Sequence, residues 1–394
     1  MKFDREYFDM GLNRVGTRSE KWDMLRMREG DGILPLWVAD MDFPSPPAVQ
    51  EALLKRAAHP TYGYTEPLDD DYDAVLNFWQ RRHGLTLQRE QVSMLPCVVT
   101  GLKVCVQALT QPGDGVIIQP PVYGPFFYSV KGADRRILEN PLKVDAEGRY
   151  RMDLEHLEHL IRDEGAKLMI LCSPHNPIGR NWSKEELEAL FALLHKYHLP
   201  LVVDEIHGDF VFKPDTFIPA LSLTGDNPNA KVVTMCAASK TFNTAGLQQA
   251  YLFTRHPEMK KKIDDFMAAA GVTCGNIFAL EGTRAALNHG DEWLDGLMAY
   301  MDEGRKILRE ELARELPQAV MTPLDATYLA WIDLRAYGFT TDELMERTHK
   351  AGVAFTPGTF FGKELGEGFL RFNIACPHRN IIEGVKRLKK ALAL

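Results

Sequence analysis

Long apolar segments are absent from this 394-residue sequence. No run approaches the roughly 18 apolar residues that a helix needs to cross a membrane. The first residues, Met1-Lys2-Phe3-Asp4, lack the apolar stretch of a signal peptide. We therefore expect a cytoplasmic protein that has no membrane partner.

Basic residues are too few and too dispersed for a nucleic-acid-binding surface. The 54 Asp and Glu residues outnumber the 46 Lys and Arg residues, and the formal net charge is −8 at pH 7. Affinity for nucleic acid depends on cations that neutralise phosphates. We therefore expect no nucleic-acid partner.

Cysteine is also scarce, and no C-x-x-C pair is present. The six cysteines are Cys97, Cys105, Cys172, Cys236, Cys274 and Cys376. In a chain of this length they indicate reduced, mostly buried thiols rather than a disulfide framework. The pairs His156/His159 and His195/His198 lack a nearby third ligand, so we expect no metal site.

The composition that remains is that of an ordinary globular protein, with 45% hydrophobic and 25% charged residues. A chain of this length usually folds as two domains. Strand and helix patterns alternate up to about residue 290, where the pattern changes. We predict a large α/β domain at 46–290 and a smaller α+β domain built from 1–45 and 291–394.

The middle of the chain contains a βαβ pattern. Residues 167–172 form a short apolar run, which predicts a buried strand. Ser183 and Glu186 form a capping box that begins a helix, and residues 199–203 predict the next strand, which leads into Asp204. The sheet should therefore be mostly parallel and covered on both faces. Further strands are predicted at 115–118 and 231–236.

The C-terminal part has a different pattern. A long charged helix is predicted at 292–316. Residues 328–333 and 369–374 alternate between apolar and polar, which predicts two half-exposed strands. A basic amphipathic helix is predicted at the end of the chain.

One lysine follows a predicted buried strand directly, in Ala237-Ala238-Ser239-Lys240-Thr241-Phe242-Asn243. Such a lysine can be partly desolvated, which lowers the pKa of its amine and makes it a candidate Schiff-base former. Taken alone, Lys240 would more often be a lysine that extends from a strand end into solvent. Other residues at the same edge of the sheet favour the chemical role.

Further polar groups follow predicted strands, where open α/β sheets bind ligands. Asp204 could pair with a protonated pyridine nitrogen. Asn176 could donate to a phenolate oxygen, and Tyr123 offers a flat face for stacking. Thr100-Gly101-Leu102 opens a helix whose free N–H groups can hold a phosphate. With Lys240, these residues describe a pocket for pyridoxal phosphate.

The order of these residues resembles that of the fold-type I pyridoxal-phosphate enzymes, the aspartate aminotransferase superfamily. The sequence is more similar still to the carbon–sulfur β-lyase branch of that superfamily, the MalY/PatB-like cystathionine β-lyases. The motifs behind this resemblance are Gly16-Thr17, Lys21-Trp22-Asp23, the segment 34–44, Tyr62-Gly63-Tyr64-Thr65, Asp204-Glu205-Ile206-His207 and Lys240-Thr241-Phe242-Asn243. The resemblance implies the PLP-dependent transferase-like fold, with a large, mostly parallel α/β/α domain and a smaller α+β domain.

The resemblance also implies roles for individual residues. Lys240 would bind pyridoxal 5′-phosphate covalently and, once displaced by the substrate amine, remove the α-proton. Asp204 would keep the ring nitrogen protonated, Asn176 would donate to O3′, and Tyr123 would stack on the ring. Arg371 would clamp the carboxylate of a small amino-acid substrate.

Phosphate contacts are expected from Thr100, Gly101 and Leu102 and from Ser239. The superfamily often has a serine where this sequence has Ala237, so Ser239 or backbone groups would replace that contact. His207 stands where aminotransferases often have a tyrosine near O3′, and we expect it at the cofactor.

A homodimer with shared active sites is a further implication. Tyr64 matches a superfamily tyrosine that reaches the cofactor phosphate of the partner subunit, and its phenol can donate a hydrogen bond. The alternative is a tyrosine packed within its own subunit. Tyr64 joins Lys240 and Tyr123 as an expected catalytic residue, and Ala39 is expected with Arg371 at the substrate.

Two reactions remain open for such a site. If the substrate has a thiolate at Cβ, as in L-cystathionine or a related cysteine S-conjugate, the thiol leaves, and pyruvate and ammonia are formed. Otherwise the same residues serve a class I/II aminotransferase. The branch motifs favour the β-lyase. A non-catalytic regulator or binding protein of the same fold is a third interpretation, but it should have lost Lys240 or Asp204.

Overall fold

The computed structural model describes residues 2–272 and 275–393, so Cys274 lies outside the described residues. The strands are β1 (Leu34–Pro35), β2 (Val92–Leu95), β3 (Gly115–Ile118), β4 (Arg136–Glu139), β5 (Lys143–Val144), β6 (Tyr150–Arg151), β7 (Ala166–Cys172), β8 (Leu201–Asp204), β9 (Val232–Cys236), β10 (Ala250–Phe253), β11 (Val320–Met321), β12 (Leu329–Asp333), β13 (Val353–Ala354), β14 (Thr356–Pro357) and β15 (Phe369–Asn373).

The helices alternate with these strands in the middle of the chain and flank them at both ends. They are α1 (Arg5–Asp9), α2 (Leu25–Glu29), α3 (Pro47–Ala57), α4 (Asp69–His83), α5 (Val98–Leu109), α6 (Pro125–Lys131), α7 (Leu154–Arg162), α8 (Lys184–Lys196), α9 (Ala238–Thr241), α10 (Pro257–Ala269), α11 (Ile277–His289), α12 (Asp291–Glu315), α13 (Thr341–Lys350) and α14 (His378–Ala393). Across residues 2–272 and 275–393, none of them is long and apolar enough to span a membrane.

Seven strands form the large sheet, in the order β2-β10-β9-β8-β7-β3-β4. Only β10 runs antiparallel to its neighbours, and the other pairings are parallel. Along β7, Met169 and Leu171 pack in one core cluster while Leu168 and Ile170 pack in another, so both faces of the sheet are buried. The predicted α/β fold with a mostly parallel sheet is confirmed.

The predicted βαβ unit is β7-α8-β8. Ser183 caps α8 through its hydroxyl, which accepts a hydrogen bond from the Glu186 N–H at 3.2 Å, and the Glu186 carboxylate accepts one from the Ser183 N–H at 2.9 Å. This reciprocal capping box begins the helix at the predicted residue. The parallel register then pairs Cys172 with Asp204 at the carboxyl ends of β7 and β8.

The small sheet is antiparallel, in the order β11-β12-β15-β14. The prediction that its two long strands are half-exposed is wrong, because β12 and β15 are almost wholly buried. The Phe372 ring packs against Phe355 and beside Gly384 of α14. Arg371 and Asn373 are the polar residues on either side of Phe372 in β15. They face the backbone of residues 37–40 rather than solvent.

Buried ion pairs tie the loop before β12 to the large sheet. The Asp325 carboxylate accepts hydrogen bonds from Arg180 at 2.9 Å and from Arg149 at 3.0 Å. The N-terminal segment also contacts both parts, since Leu36 pairs with the small sheet and Met41 with Asn243. The domain boundaries at 46–290 therefore stay a prediction.

Candidate active site

The predicted site residues converge at the carboxyl edge of the large sheet. Asp204 is the last residue of β8, and β9 leads through Ala237 into α9, which contains Lys240. The segment after β7 places Asn176 at the same edge, where its Oδ1 accepts a hydrogen bond from Arg371 of β15 at 3.2 Å. The two sheets therefore meet at this site.

Lys240 has a half-buried side chain whose amine donates a hydrogen bond to the backbone oxygen of Ala39. Desolvation lowers the pKa of the amine to about 8, an effect that the nearby Asp40 and Asp204 partly oppose. Near neutral pH such an amine is neutral in a much larger fraction of molecules than an exposed lysine. Lys240 is therefore suited to act as a nucleophile and as a base.

Asp204 is a buried carboxylate, only 2% exposed. Its Oδ1 accepts a hydrogen bond from the Ile206 N–H at 3.1 Å. Burial raises the pKa of Asp204 to about 6, although that hydrogen bond and the charge of Lys240 oppose the rise. A cation placed beside the carboxylate, such as a protonated ring nitrogen, would favour its charged form.

Arg371 is a buried guanidinium that forms no ion pair within the described part of the chain. It donates hydrogen bonds to Asn176, to the backbone oxygen of Trp37 at 2.9 Å and to the Thr356 hydroxyl at 3.1 Å. Its Nε has no hydrogen-bond partner among the described residues, and burial lowers the pKa of the group to about 10. A ligand carboxylate would supply the missing anion.

Aromatic and imidazole rings enclose the remaining sides. Burial raises the pKa of Tyr123 to about 12, and the charge of Asp204 adds to this effect. His207 is buried, and its Nδ1 has no hydrogen-bond partner among residues 2–272 and 275–393. Desolvation lowers its pKa to about 3, so it is a neutral imidazole. The Tyr328 ring meets the His207 ring edge-on, with the centroids 5.9 Å apart.

Tyr328 is a site residue that the sequence reasoning missed. Its hydroxyl donates to the Ala39 oxygen at 3.1 Å, the same oxygen that accepts from Lys240. The sequence assigned Tyr328 only to the start of an alternating strand. Ala39, expected beside the substrate, therefore lies at the centre of the site through its backbone oxygen.

The predicted phosphate-binding turn lies in the first turn of α5, where Gly101 also has a packing role. Its N–H already donates to the Cys97 oxygen at 3.1 Å, which is the first turn of α5, and the Thr100 N–H is capped by the Cys97 Sγ. A Cβ at Gly101 would lie 2.6 Å from the Met235 Sδ, so this glycine lets α5 pack closely on β9. Leu102, one residue further along, is fully buried in the core.

The N–H groups that precede this first helical hydrogen bond belong to Val98 and Val99. A helix leaves such first-turn N–H groups without partners in its own backbone. The Thr100 N–H also precedes that bond and meets the Cys97 Sγ, and the phosphate contacts of Thr100, Gly101 and Leu102 stay a prediction. Ser239 lies half-buried beside Lys240, and its phosphate contact stays a prediction.

Tyr64 is the one expected catalytic residue that lies fully exposed to solvent. It belongs to the loop between α3 and α4, where the neighbouring Tyr62 hydroxyl donates to the Ala57 oxygen at 2.8 Å. Full exposure is inconsistent with the alternative that Tyr64 packs within its own subunit. Its contact with the cofactor of a second chain stays a prediction.

Comparison with known proteins agrees with this geometry. The profile of the family "Aminotransferase class I and II" matches residues 32–388. The chain is 41% identical over 388 residues to cystathionine beta-lyase PatB of Bacillus subtilis, covering 98% of this chain and all of PatB. It is 29% identical over 393 residues to protein MalY of Escherichia coli, covering 98% of each chain.

Solved structures give the same result. Cystalysin from Treponema denticola, which contains a pyridoxal 5′-phosphate cofactor, matches with a TM-score of 0.93 and 32% identity, covering 97% of this chain and 98% of cystalysin. The PLP-bound C–S lyase from Staphylococcus hominis matches with a TM-score of 0.90 and 29% identity, covering 98% of each chain. The chain belongs to the aminotransferase class I and II family, in the branch that includes PatB and MalY.

The site fits pyridoxal phosphate on its own chemistry. Asp204 is a buried carboxylate without a counter-ion in residues 2–272 and 275–393, which suits a protonated ring nitrogen. Lys240 provides an amine of lowered pKa, and Tyr123 provides an aromatic face. The amide of Asn176 is oriented by Arg371 so that its NH₂ group is free to donate.

We predict that attachment of pyridoxal phosphate to the cofactor-free protein becomes faster as pH rises through about 8, where the Lys240 amine loses its proton. Stopped-flow absorbance of the visible cofactor band measures this rate. Lys240→Ala should show neither the band nor turnover. A band that persists in this variant would reject Lys240 as the attachment point.

Proposed function

We propose that the protein is a pyridoxal-phosphate-dependent carbon–sulfur β-lyase. It cleaves L-cystathionine or a related cysteine S-conjugate to a thiol, pyruvate and ammonia. The observation behind this proposal is the 41% identity to cystathionine beta-lyase PatB along 98% of the chain. The convergence of Lys240, Asp204 and Arg371 supplies the groups that this chemistry requires.

Pyridoxal phosphate, when bound, supplies an electron sink for the negative charge that develops at the substrate Cα. Asp204 would hold the ring nitrogen in its protonated form, because a buried carboxylate is stabilised by an adjacent cation. Asn176 would donate to the phenolate oxygen, since its Oδ1 is already engaged by Arg371. Tyr123 would lie against the ring and exclude water from one face.

Arg371 would orient the substrate through its carboxylate. Its three protein acceptors are a backbone oxygen, a hydroxyl and an amide, so no protein anion competes for the guanidinium within the described residues. A guanidinium binds a carboxylate through two parallel N–H donors, which fixes direction as well as distance. A substrate held in this way would present its Cα proton to Lys240.

Lys240 would remove that proton once its amine is free. An amine whose pKa is about 8 can accept a proton at neutral pH and release it again, which suits a group that acts as base and then as acid. Loss of a thiolate from Cβ then breaks the C–S bond, and the released aminoacrylate takes up water to give pyruvate and ammonia.

Amino transfer is the second candidate function, and the description of the matching family favours it. The same three groups would bind the substrate and remove its proton. The two reactions differ after proton removal, because transfer requires a keto acid to accept the amino group. The requirement for a keto acid therefore separates the two candidates.

We predict that L-cystathionine alone, without a keto acid, yields equal amounts of pyruvate and thiol. Lactate dehydrogenase coupling measures pyruvate, and a thiol reagent measures the second product. Lys240→Ala is the control for non-enzymatic decay. Strict dependence on a keto acid would identify an aminotransferase instead.

We predict that Arg371→Ala weakens transition-state binding by about 2–4 kcal/mol, because it removes two charge-assisted hydrogen bonds to the substrate carboxylate. The loss should appear mainly as a higher KM in steady-state kinetics. Arg335→Ala, at an arginine whose side chain is 65% exposed, is the matched control. Unchanged kinetics in Arg371→Ala would contradict the carboxylate clamp.

We further propose that the enzyme is a homodimer in which Tyr64 completes the site of the partner subunit. The fully exposed position of Tyr64 supports this arrangement, because a phenol in that position is available to a second chain. The loop is anchored by Tyr62, which leaves Tyr64 to project outward.

Mixing two inactive variants tests the shared site. Lys240→Ala and Tyr64→Ala should each be nearly inactive as homodimers. If Tyr64 acts across the interface, half of the randomly reassociated dimers are mixed and each has one intact site, so about a quarter of wild-type activity returns. Differently tagged subunits verify exchange. Exchange without recovery would place Tyr64 in its own subunit's site.

A further inference from the structure

Four charged side chains of the N-terminal segment form a compact group, here called the N-terminal charge cluster: Arg14, Lys21, Asp40 and Asp42. Lys21 is fully buried, and its Nζ lies 2.9 Å from the Asp42 Oδ2 and 3.7 Å from the Asp40 Oδ1. Arg14 donates to both Asp40 carboxylate oxygens, at 2.8 and 2.7 Å, and to Asp42 at 3.1 Å. Two cations and two anions make the cluster neutral.

The cluster fixes the backbone next to Ala39 as well as its own side chains. The Lys21 amine also donates to the backbone oxygen of Asp40 at 3.3 Å. Asn373 donates to that oxygen at 2.8 Å and to the backbone oxygen of Val38 at 2.6 Å. The carbonyl between them, that of Ala39, is therefore held from both sides.

We propose that Lys21 and Asp42 act on the reaction as a charge-balanced pair: together with Arg14 and Asp40 they keep the segment around the Ala39 carbonyl, which accepts the hydrogen bond from Lys240, without net charge. In the described residues, the hydrogen bonds and ion pairs of these two side chains are made within the N-terminal segment, so they act on Lys240 through this segment. The inference rests on the proposed function in one respect only, which is that Lys240 is the reacting amine.

The cluster also sets the charge balance around the Lys240 amine. Asp40 favours the protonated amine, and the two cations beside Asp40 counter its charge. Two ionisable groups of the N-terminal segment face the amine, Asp40 and Glu20. The others are Asp204 at the end of β8, His207 after it, and Arg371 of β15. Those that face the cluster are Tyr328 and Cys376.

Removing the charge of Lys21 leaves the cluster with one excess negative charge. The Lys240 amine should then keep its proton to higher pH, by about 0.5 to 1 pH unit for a partly buried neighbouring charge. Adding Asp42→Asn restores neutrality and should return the midpoint toward the wild-type value. If Lys21→Met acted only by loosening the segment, Asp42→Asn would loosen it further, and the midpoint would not return toward the wild-type value.

The test measures the Lys240 amine directly in the cofactor-free full-length chain. Trace acetic anhydride acetylates only neutral amines, so the labelling of the Lys240 peptide across a pH series, read by mass spectrometry, gives the midpoint. The variants are Lys21→Met and Lys21→Met with Asp42→Asn. Trp22→Phe is the matched control, because it removes the 2.8 Å hydrogen bond from Trp22 Nε1 to Asp42 without changing charge.

The expected result is an upward shift in Lys21→Met, recovery in the double variant and no shift in Trp22→Phe. An unmoved midpoint in Lys21→Met, or a further shift in the double variant, would overturn the inference. Should Lys21→Met not fold, Arg14→Gln makes the same charge change at a side chain that is 20% exposed, and the same shift is required.

A separate measurement distinguishes failure of the proposed function from failure of this inference. Borohydride reduction of the cofactor-loaded wild-type protein should leave a pyridoxyl group on the Lys240 peptide. Its absence there would reject the proposed function, whatever the midpoints are. Its presence with unmoved midpoints would reject only the charge-balancing role of Lys21 and Asp42.

Discussion

The parallel pairing of β7, β8 and β9 is the constraint on which the rest of the site depends. Cys172 pairs with Asp204, and Asp204 pairs with Met235, so the three strands end at nearly the same level. The segments after these strands leave one edge of the sheet and bring Asn176 and Lys240 to Asp204. Because both faces of the sheet are filled by apolar side chains, polar chemistry is confined to such an edge.

Charged groups that are buried without an ion pair among the described residues give this edge its demand for a ligand. The pKa of Asp204 is raised to about 6, and those of Lys240 and Arg371 are lowered to about 8 and about 10. Each shift favours the neutral form, and each is reversed by an opposite charge nearby. A ligand with a ring cation at one end and a carboxylate at the other supplies an opposite charge to Asp204 and to Arg371 in a single orientation.

Local patterns predict the βαβ unit because apolar strands and the capping box at Ser183 are properties of short segments. They fail at β15, because alternation has the same form whether the polar face meets solvent or, as with Arg371 and Asn373, a buried backbone. Gly101 has a packing role that the sequence did not indicate, because a glycine near a helix start serves close packing as readily as ligand binding. Tyr328 acquires its place only through long-range contact with Ala39, which no short segment encodes.

The acceptor beside Lys240 is a main-chain oxygen, and this determines how the site can vary. Every residue type at position 39 keeps that oxygen, so a substitution scan there reports only on side-chain space in the pocket. Selection for the acceptor acts instead on the groups that fix the path of the chain, such as Asn373, which bonds the carbonyls on either side of it. Engineering the surroundings of the lysine therefore means rerouting a segment of backbone rather than exchanging a side chain.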